Sequence, residues 1–276
     1  MAVSTSVVIP CFNHGTYLPE AVESVTRHGR DDVEIIVVDD GSTDQTTLAE
    51  MAKLRDAGIQ VLHQENKGLG AARNAGIRVA RGEFIVPLDS DNRLTESYFI
   101  DGVRILESDS SIGVVYGDAA YFGNRTGLWK VLDFDLRALT KENFIDACAI
   151  YRKAVWNAIG GYDENMPWMG LEDWDFWLRT AVGGWSFHHL DKIAFDYRVR
   201  ANSMLTETDK HYAELINYIF AKRHNQAAAL IRELSADAEE FRRIASTPGW
   251  RVGRAVLAFI QRVKRRIVDC CRISKV

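Results

Sequence analysis

The first third of the chain alternates short apolar runs with segments of helical periodicity. Four runs rich in β-branched residues predict strands, at Ser6–Pro10, Val33–Asp40, Ile59–Gln64 and Glu83–Asp89. The segments between them have apolar residues spaced three to four apart and predict helices, at Tyr17–Arg27, Asp44–Ala57 and Gly70–Ala80. Continuous apolar strands separated by helix-length segments are typical of a parallel sheet covered on both faces. The pattern predicts an α/β fold.

The pattern becomes less regular after about Leu94. It predicts, in order, a helix at Thr95–Leu106, a strand at Gly113–Asp118, a strand and short helix within Ala149–Glu164, a helix at Leu171–Gly184 and a strand at Ile193–Arg198. From about Glu207 onward the sequence is predicted to be wholly helical. We therefore divide the chain into a domain at 1–205, with halves at 1–93 and 94–205, and a helical extension at 206–276.

Composition and charge narrow the class of protein. The 276 residues carry a formal net charge of -4, which argues against a nucleic-acid-binding protein with a dominant basic face. The four cysteines have no metal-ligand spacing and are expected to be reduced thiols, at Cys11, Cys148, Cys270 and Cys271. The N-terminal residues do not have the basic and apolar pattern that predicts a signal peptide. No apolar run approaches the ~20 residues of a membrane span. We expect a cytoplasmic protein.

Polar or acidic residues follow each of the first four strands. Ligands of open α/β sheets bind at the carboxyl ends of the strands, so these residues are expected to line one site. The four groups are Cys11-Phe12-Asn13-His14, Asp39-Asp40-Gly41-Ser42, Asn66-Lys67-Gly68-Leu69-Gly70 and Asp89-Ser90-Asp91. A single group could be turn chemistry alone. Four groups at the same edge of the sheet indicate a binding site.

The stretch PLDSDN contains two carboxylates separated by one serine. Alternation along an extended chain places Asp89 and Asp91 on the same side, where they repel each other unless a cation or a hydrogen-bond donor relieves them. A small set of oxygen ligands with open coordination positions suits Mg²⁺ or Mn²⁺ held together with substrate phosphates. The alternative is a turn with two solvated acids.

Two further positions at the predicted ligand edge have both a functional and a structural interpretation. Asp40, with Asp39 beside it, can accept hydrogen bonds from a ribose or a base, or can simply end a strand before a helix cap. Arg73 opens a helix after a glycine-rich turn and can bind phosphate or carboxylate in a bidentate way, or can be a surface arginine. The glycines resemble the dinucleotide fingerprint, but that fingerprint belongs after the first strand and has its own spacing, so this near-match is a weak signal.

The stretch GLEDWDFWLR adds a third acidic group. Glu172 and Asp173 stand at the start of a predicted helix. Acidic side chains there can stabilise the helix through its dipole, or one of them can serve as a general base. Trp174 and Trp177 fall at helical spacing and are predicted to be core residues. Trp168 and Met169 precede the helix and can form an apolar platform for a sugar ring.

Five of these motifs, in this order, resemble the family 2 glycosyltransferases of the GT-A fold. The quoted motifs are SVVIPCFNHGTYLPEAVESV, EIIVVDDGSTD, NKGLGAARNAGIRVARGEFIVPLDSDN, GGYDE and LEDWDFWLR, and the resemblance covers about Ser4 to Met204. It implies a GT-A type (Rossmann-like), mixed and mainly parallel sheet flanked by helices, with a helical C-terminal extension. It also implies inverting sugar transfer from a nucleotide-diphosphate sugar, with Mn²⁺ or Mg²⁺, in polysaccharide or cell-envelope synthesis.

The resemblance assigns roles residue by residue. On the donor side, Pro10 and Phe12 would pack on the base, Asp40 would bind base or ribose, and Arg73 would help hold the nucleotide. Asp89 would contact ribose or donor sugar, Asp91 would ligate the metal, and Arg200, in the segment Tyr197–Met204, would reach the diphosphate. Asp173 would be the catalytic base. Trp168 and Glu172 stand on the acceptor side, where a glycan or lipid-linked saccharide is expected.

Two alternatives and the C-terminal segment stay open at this stage. A sugar nucleotidyltransferase would favour a basic, glycine-rich loop after the first strand, and a non-catalytic nucleotide-sugar-binding module would not need Asp173. The basic segment 250–276 has six apolar residues that can share one helical face, at Val252, Val256, Phe259, Ile260, Val263 and Ile267. Such a helix can pack on the rest of the protein or lie on an anionic membrane surface.

Overall fold

The structure is a computed structural model that describes residues 3–27, 29–200 and 208–221. The chain divides into two compact units, Met1–His211 and Tyr212–Val276. The predicted boundary at 205 and 206 falls outside the described residues and stays a prediction. The same holds for the basic segment 250–276 and for residues 201–204 of the late motif.

The first half of the first unit alternates strands and helices. Its strands are β1 (Thr5–Cys11), β2 (Val33–Asp39), β3 (Gln60–His63) and β4 (Phe84–Pro87). The helices between them are α1 (Leu18–Thr26), α2 (Gln45–Asp56) and α3 (Leu69–Val79). Local chemistry accounts for the starts of α1 and α2. A proline stands in the first turn of α1, and Asp44 caps α2 by accepting from the backbone N–H of Thr47.

The second half of the unit has longer strands and shorter helices. The strands are β5 (Arg93–Leu94), β6 (Ile112–Gly123), β7 (Gly127–Trp129), β8 (Ile150–Arg152) and β9 (Ser186–Val199). The helices are α4 (Glu96–Ser108), α5 (Leu136–Leu139), α6 (Lys153–Ile159) and α7 (Glu172–Val182). Gly160 ends α6 at a φ of 78°, a left-handed conformation that favours glycine. A further helix is described at 208–221.

The nine strands of the described residues form one mixed sheet. Eight of them follow the order β3-β2-β1-β4-β8-β6-β9-β5, and β7 pairs with β6. The strands β1, β2, β3 and β4 pair in parallel, as does the long pair of β6 and β9. The short strand β8 lies antiparallel to both β4 and β6 and so joins the two halves. The predicted α/β fold with a mixed, mainly parallel sheet flanked by helices is confirmed.

Close packing holds α3 against the sheet. A Cβ atom on Gly76 would lie 2.4 Å from Cγ1 of Val8 and 3.1 Å from Cγ2 of Val38, so only glycine fits between α3 and the strands β1 and β2. The core below contains fully buried side chains from both halves, including Ile9, Leu18, Tyr98, Phe99 and Phe195. This packing fixes the start of α3 at the carboxyl end of the sheet.

The structure corrects several predicted elements. The last of the first four strands ends at Pro87, so Asp89 and Asp91 lie in a turn closed by the N–H of Asn92 on the carbonyl of Asp89 at 3.0 Å. The extended chain assumed for these two residues is wrong. The strands β6 and β9 are about twice their predicted length, and β5, β7 and α5 were not predicted. Within the described residues, every helix is too short or too polar to cross a membrane.

Candidate active site

The glycine-rich turn before α3 is held by Asp40. This buried carboxylate accepts from Nε2 of Gln64 at 2.6 Å and from the backbone N–H groups of Lys67 and Gly68, both at 2.9 Å. Gly68 has a φ of 87°, which only glycine adopts readily. Asp40 therefore shapes the turn at the carboxyl end of the sheet. Its predicted contact with a base or ribose stays a prediction.

The loop after β1 presents an aromatic ring to solvent. Pro10 is buried in β1, and Phe12 just beyond the strand is 43% exposed. Asn13 pins this loop to the next one, because its Oδ1 accepts from the backbone N–H groups of Thr43 at 2.8 Å and Asp44 at 3.1 Å. An exposed phenylalanine on a braced loop is suited to stacking on a planar ligand ring.

Arg73 places a buried positive charge at the site. Its side chain is 3% exposed and donates from Nη2 to Oδ1 of Asp89 at 2.8 Å, while its guanidinium lies 5.5 Å from the ring centre of Tyr162. Burial disfavours the charged form of Arg73 and lowers its pKa. The pKa of Arg73 is nevertheless raised above its usual value by nearby groups, which are Asp89, Tyr162, Glu172 and Asp173. The surface interpretation of Arg73 is therefore wrong, and the residue links the turn after β4 to the start of α7.

Asn74, the neighbour of Arg73, has a structural role. Its Nδ2 donates to the carbonyl of Tyr162 at 2.9 Å and to Oε1 of Glu164 at 2.8 Å. Its Oδ1 accepts from Nε1 of Trp156 and from the backbone N–H of Tyr162. These bonds tie α3 to the GGYDE motif, which explains why that motif lies beside the ligand edge.

The second acid of the PLDSDN turn faces a different cation. Oδ2 of Asp91 lies 2.9 Å from Nε of Arg200, without a well-aligned hydrogen bond from that nitrogen. Nη1 of Arg200 lies 3.2 Å from Nε2 of His14, whose Nδ1 lies 3.3 Å from Oγ of Ser90. Burial and the nearby Asp89 raise the pKa of Asp91, whereas Arg200 lowers it. The two acids are thus neutralised separately, Asp89 by Arg73 and Asp91 by Arg200.

Glu172 and Asp173 begin α7, as the sequence predicts. Glu172 is buried and its Oε2 accepts from the backbone N–H of Gly170 at 2.9 Å. This acid therefore stabilises the turn that precedes α7. Asp173 accepts at Oδ1 from the N–H of Trp174 at 2.8 Å and at Oδ2 from Nδ2 of Asn143 at 3.1 Å. Burial raises the pKa of Asp173 to about 6, although Arg73 and Asn143 lower it. A carboxyl group of that pKa is largely ionised at neutral pH and can accept a proton.

Two polar residues of the segment between α5 and β8 belong to this site, and no sequence motif indicated them. Asn143 binds Asp173, and Asp146 lies in the field of Asp89, Asp173 and Arg73. Burial raises the pKa of Asp146 to about 8, with Asp89 and Asp173 raising it further. Its Oδ1 accepts from the backbone N–H of Cys148 at 2.8 Å. Asp146 and Asp89 are far apart in the sequence, but they act on each other because the strand that follows Asp146, β8, pairs with the strand that precedes Asp89, β4.

Trp168 and Met169 precede Glu172 in the chain and are both exposed, by 44% and 46%. The ring of Trp168 stacks on His211 at 3.5 Å between ring centres. The sulfur of Met169 lies 3.4 Å from the position that a Cβ on Gly68 would take, so it contacts the glycine-rich turn. The predicted sugar platform at Trp168 stays a prediction.

The acids of the turn fit a divalent cation that shares its coordination with a ligand. Among the described residues, no three acidic, histidine or cysteine side chains converge in the way that a complete protein site for a metal would require. Asp91 nevertheless already holds a cation, the guanidinium of Arg200, and a second carboxylate stands two residues away at Asp89. One or two carboxylates completed by water and phosphate oxygens are the usual protein contribution to Mg²⁺.

Comparison with known families gives an independent view of the chain. The family model described as "Glycosyl transferase family 2" matches residues 6–166, which is more than half of the chain. The match includes the loop after β1, the turn before α3, the PLDSDN turn and the GGYDE motif. It ends before α7, so Asp173 lies outside the matched residues.

Several curated relatives carry glycosyltransferase names. EpsH of Bacillus subtilis (strain 168) is 29% identical over 257 residues, which are 84% of this chain and 73% of EpsH. A PGL/p-HBAD biosynthesis glycosyltransferase of Mycobacterium tuberculosis (strain ATCC 25177 / H37Ra) is 31% identical over 63% of this chain and 68% of its own. Glycosyltransferase GlyG of Streptococcus pneumoniae is 40% identical, but the match spans only 45% of this chain and 43% of GlyG.

Solved structures show the same fold. Residues 1–349 of TarS from S. aureus, in complex with UDP-GlcNAc, superpose with a TM-score of 0.62 at 23% identity. The superposition covers 74% of this chain and 61% of that one, so this chain is similar to only part of TarS. The likeness confirms the GT-A type sheet predicted from the sequence.

Proposed function

This chain belongs to glycosyltransferase family 2, and we propose that it is an inverting enzyme that transfers a sugar from a UDP-sugar to a hydroxyl group. The observation that carries the proposal is the position of Asp173. This carboxylate begins α7, has its pKa raised to about 6, and lies in the field of the Arg73–Asp89 pair at the carboxyl end of the sheet. The proposed general base therefore adjoins the edge at which we propose that the nucleotide binds.

The proposed role of Asp173 is to activate the acceptor hydroxyl. Asp173 would remove the proton from an acceptor hydroxyl while the oxygen attacks the anomeric carbon of the donor from the face opposite the leaving nucleotide, which inverts the configuration. General-base assistance of this kind contributes typically about 10²–10⁴-fold. The pKa of about 6 keeps Asp173 ionised at neutral pH and still basic enough to share the proton in the transition state.

The donor would lie along the edge formed by the first four strands. Phe12, with Pro10 behind it, would stack on the base, and the turn held by Asp40 would meet the base or ribose. The Arg73–Asp89 pair would contact ribose or donor sugar through the free face of the carboxylate, which is 31% exposed. Arg200, adjacent to the turn, would reach the diphosphate.

The cation would bind at the PLDSDN turn. Asp91 would ligate Mn²⁺ or Mg²⁺, and Arg200 would give up its present contact with that carboxylate and turn to a phosphate. When bound, such a cation neutralises charge on the departing nucleoside diphosphate. The chain contributes the carboxylate, the neighbouring Asp89 and the guanidinium, and we propose that the donor supplies the remaining ligands.

Relatives support a sugar donor and a saccharide acceptor. Two of the similar TarS structures are complexes, one with UDP and one with UDP-GlcNAc. A relative of 27% identity over 69% of this chain is a chondroitin synthase of Escherichia coli. That match spans 28% of the chondroitin synthase. By likeness we propose a UDP-sugar donor and an acceptor that is a glycan or a lipid-linked saccharide, in polysaccharide or cell-envelope synthesis. Trp168 and Glu172 would stand on the acceptor side.

The segment 250–276 lies outside the described residues, and its sequence supports a contact with anionic lipid at the cytoplasmic face of a membrane. A basic, amphipathic helix there would bring the enzyme to a lipid-linked acceptor. Sedimentation with vesicles containing phosphatidylglycerol tests this point. The full chain should sediment with the vesicles and the chain ending at Pro248 should not; an equal response of both chains would rule it out.

A thermal-shift screen of nucleotide sugars, each with and without Mn²⁺, tests the proposed donor class. We expect one class of UDP-sugar to raise the melting temperature, and more so with Mn²⁺. The donor found in this way is then incubated with the protein, and the released product is identified. UDP supports a glycosyltransferase, whereas pyrophosphate release from a sugar phosphate and a nucleoside triphosphate would indicate a nucleotidyltransferase. Binding with no turnover of any donor would favour a binding module.

A further inference from the structure

Asn143 has a single side-chain partner within the described part of the chain, and that partner is the proposed base. Its Nδ2 lies 3.1 Å from Oδ2 of Asp173, while its Oδ1 is buried and has no partner among the described residues. Building on the proposed function, we propose that Asn143 is a positioning residue that fixes the Asp173 carboxylate and favours its ionised form. No family motif in the sequence includes Asn143.

The hydrogen-bond geometry assigns the orientation of the amide. An ionised carboxylate can only accept, so the NH₂ group of Asn143 must face Asp173, and a flipped amide would place two oxygens against each other. Oδ1 of Asp173 is held at the same time by the backbone N–H of Trp174 at 2.8 Å. The two carboxylate oxygens are therefore held from two directions, one by α7 itself and one by the segment before β8. Rotation of the carboxylate is restricted without blocking the remaining lone pairs.

The segment that carries Asn143 is attached to α7 by other contacts. Nε1 of Trp174 donates to the carbonyl of Leu139 at 2.6 Å. The side chains of Leu139, Phe144 and Ile145 are buried on both sides of Asn143. Replacing the Asn143 side chain therefore removes the contact with Asp173 and leaves the anchor of the segment in place. The unpartnered Oδ1 also means that no other described contact is lost.

Charged and titratable groups from several elements act on Asp173 together with Asn143. They are Arg73 on α3, Asp89 after β4, Asp146 in the segment of Asn143, Glu172 on α7, Tyr162 after α6 and Tyr197 on β9. Burial and Asp89 raise the pKa of Asp173, whereas Arg73 and the amide of Asn143 lower it. Loss of the amide donor removes a group that favours the ionised form, so the pKa of Asp173 must rise.

A carboxyl titration by NMR tests the proposal without any substrate. The full chain is labelled with ¹³Cγ-aspartate, and the Asp173 signal is assigned by its absence in D173N. We expect the pKa of Asp173 to rise by about one unit in N143A and by more in the isosteric N143D, which adds a second acid. The exposed Asn157 of α6 provides the matched control, and N157A should leave the titration unchanged.

A kinetic measurement gives a second readout. The rate of hydrolysis of the UDP-sugar selected by the thermal screen is measured as a function of pH. The acid limb of this pH–rate profile should move to higher pH in N143A and N143D. The affinity of both variants for UDP should change less than twofold. An unchanged Asp173 titration in a folded N143D protein would overturn the positioning role, whatever the effect of D173N on turnover. If the titration moves as expected but D173N keeps full turnover, the proposed base is wrong and the coupling of Asn143 to Asp173 stands.

Discussion

Arg200 lies with its Nε 2.9 Å from Oδ2 of Asp91, so the proposed metal ligand already faces a cation supplied by its own chain. The Asp91 side chain is 14% exposed and Asp89 stands two residues away. Two acids this close favour a positive partner. A divalent cation and Arg200 would therefore compete for Asp91, and a bound diphosphate would offer Arg200 a second partner.

Because of this competition, we expect R200Q to change the affinities for Mn²⁺ and for UDP in opposite directions. In the absence of nucleotide, the variant should bind Mn²⁺ roughly threefold to tenfold more tightly, since an ion pair worth about 1 kcal/mol no longer has to be broken. In saturating Mn²⁺, it should bind UDP about tenfold more weakly, because a charge-assisted contact with phosphate is lost. Electron paramagnetic resonance of free Mn²⁺ measures the first effect and calorimetry the second.

The exposed Arg104 of α4 supplies the control for that pair of measurements. R104Q should match the wild type in both titrations. If R200Q binds Mn²⁺ no more tightly than the wild type does, Arg200 and the cation do not share Asp91. If its affinity for UDP also stays normal, Arg200 has no part in donor binding.

Phe12 should contribute to nucleotide affinity through its ring alone. The side chain is 43% exposed on a loop braced by Asn13. Stacking of a base on an aromatic side chain is worth about 1–3 kcal/mol, so F12A should weaken UDP binding by roughly five- to 160-fold. F12Y keeps the ring and should stay within about twofold. Calorimetry with UDP and Mn²⁺ checks both variants, with L48A on the exposed part of α2 as the control; normal affinity of F12A would exclude stacking.

Asp146 should make the folding stability depend on pH. Its pKa is raised to about 8 in the folded protein, against about 3.9 in the unfolded chain, so the folded state binds the proton more tightly. Stability from this group is present below about pH 4 and is lost as pH rises toward 8. D146N removes the titration and should be more stable than the wild type at pH 8.5 by as much as about 5 kcal/mol, the equivalent of about four pKa units.

Urea unfolding at pH 5 and pH 8.5 measures this difference. The advantage of D146N should be much smaller at pH 5, where the wild-type carboxyl group is still protonated in the folded state. D31N, at an exposed position before β2, should follow the wild type at both pH values. If the difference in unfolding free energy between D146N and the wild type is the same at both pH values, Asp146 is not protonated in the folded protein.

The sequence was sufficient for the parallel half of the sheet, because buried parallel strands read as continuous apolar runs. Val7, Val8 and Ile9 in β1 and Ile36 to Val38 in β2 are all fully buried. The first half of β9 was missed because His188, His189, Asp191 and Lys192 interrupt its apolar pattern. His188 and His189 nevertheless pair with Val115 and Tyr116 of β6, and Asp191 and Lys192 lie at an irregularity of the same strand pair.

The candidate site was predicted in part, and the missing part depended on long-range packing. Asp40, Arg73 and Asp173 could be proposed from the sequence because each follows a strand or begins a helix within a recognised motif. Asn143 and Asp146 have no motif, and only the fold brings them to Asp173. Two isolated polar residues in the apolar stretch NFIDACAIY were the available signal, because polar side chains among buried neighbours need partners.

The transfer reaction of D173N tests the central proposal most directly. UDP release from the selected UDP-sugar is measured for wild type and D173N at pH 7.5, and donor affinity is measured by calorimetry on the same samples. We predict that D173N binds the donor within about twofold of the wild type and releases UDP about 10²–10⁴-fold more slowly. Near-normal UDP release by D173N would contradict the assignment of Asp173 as the base.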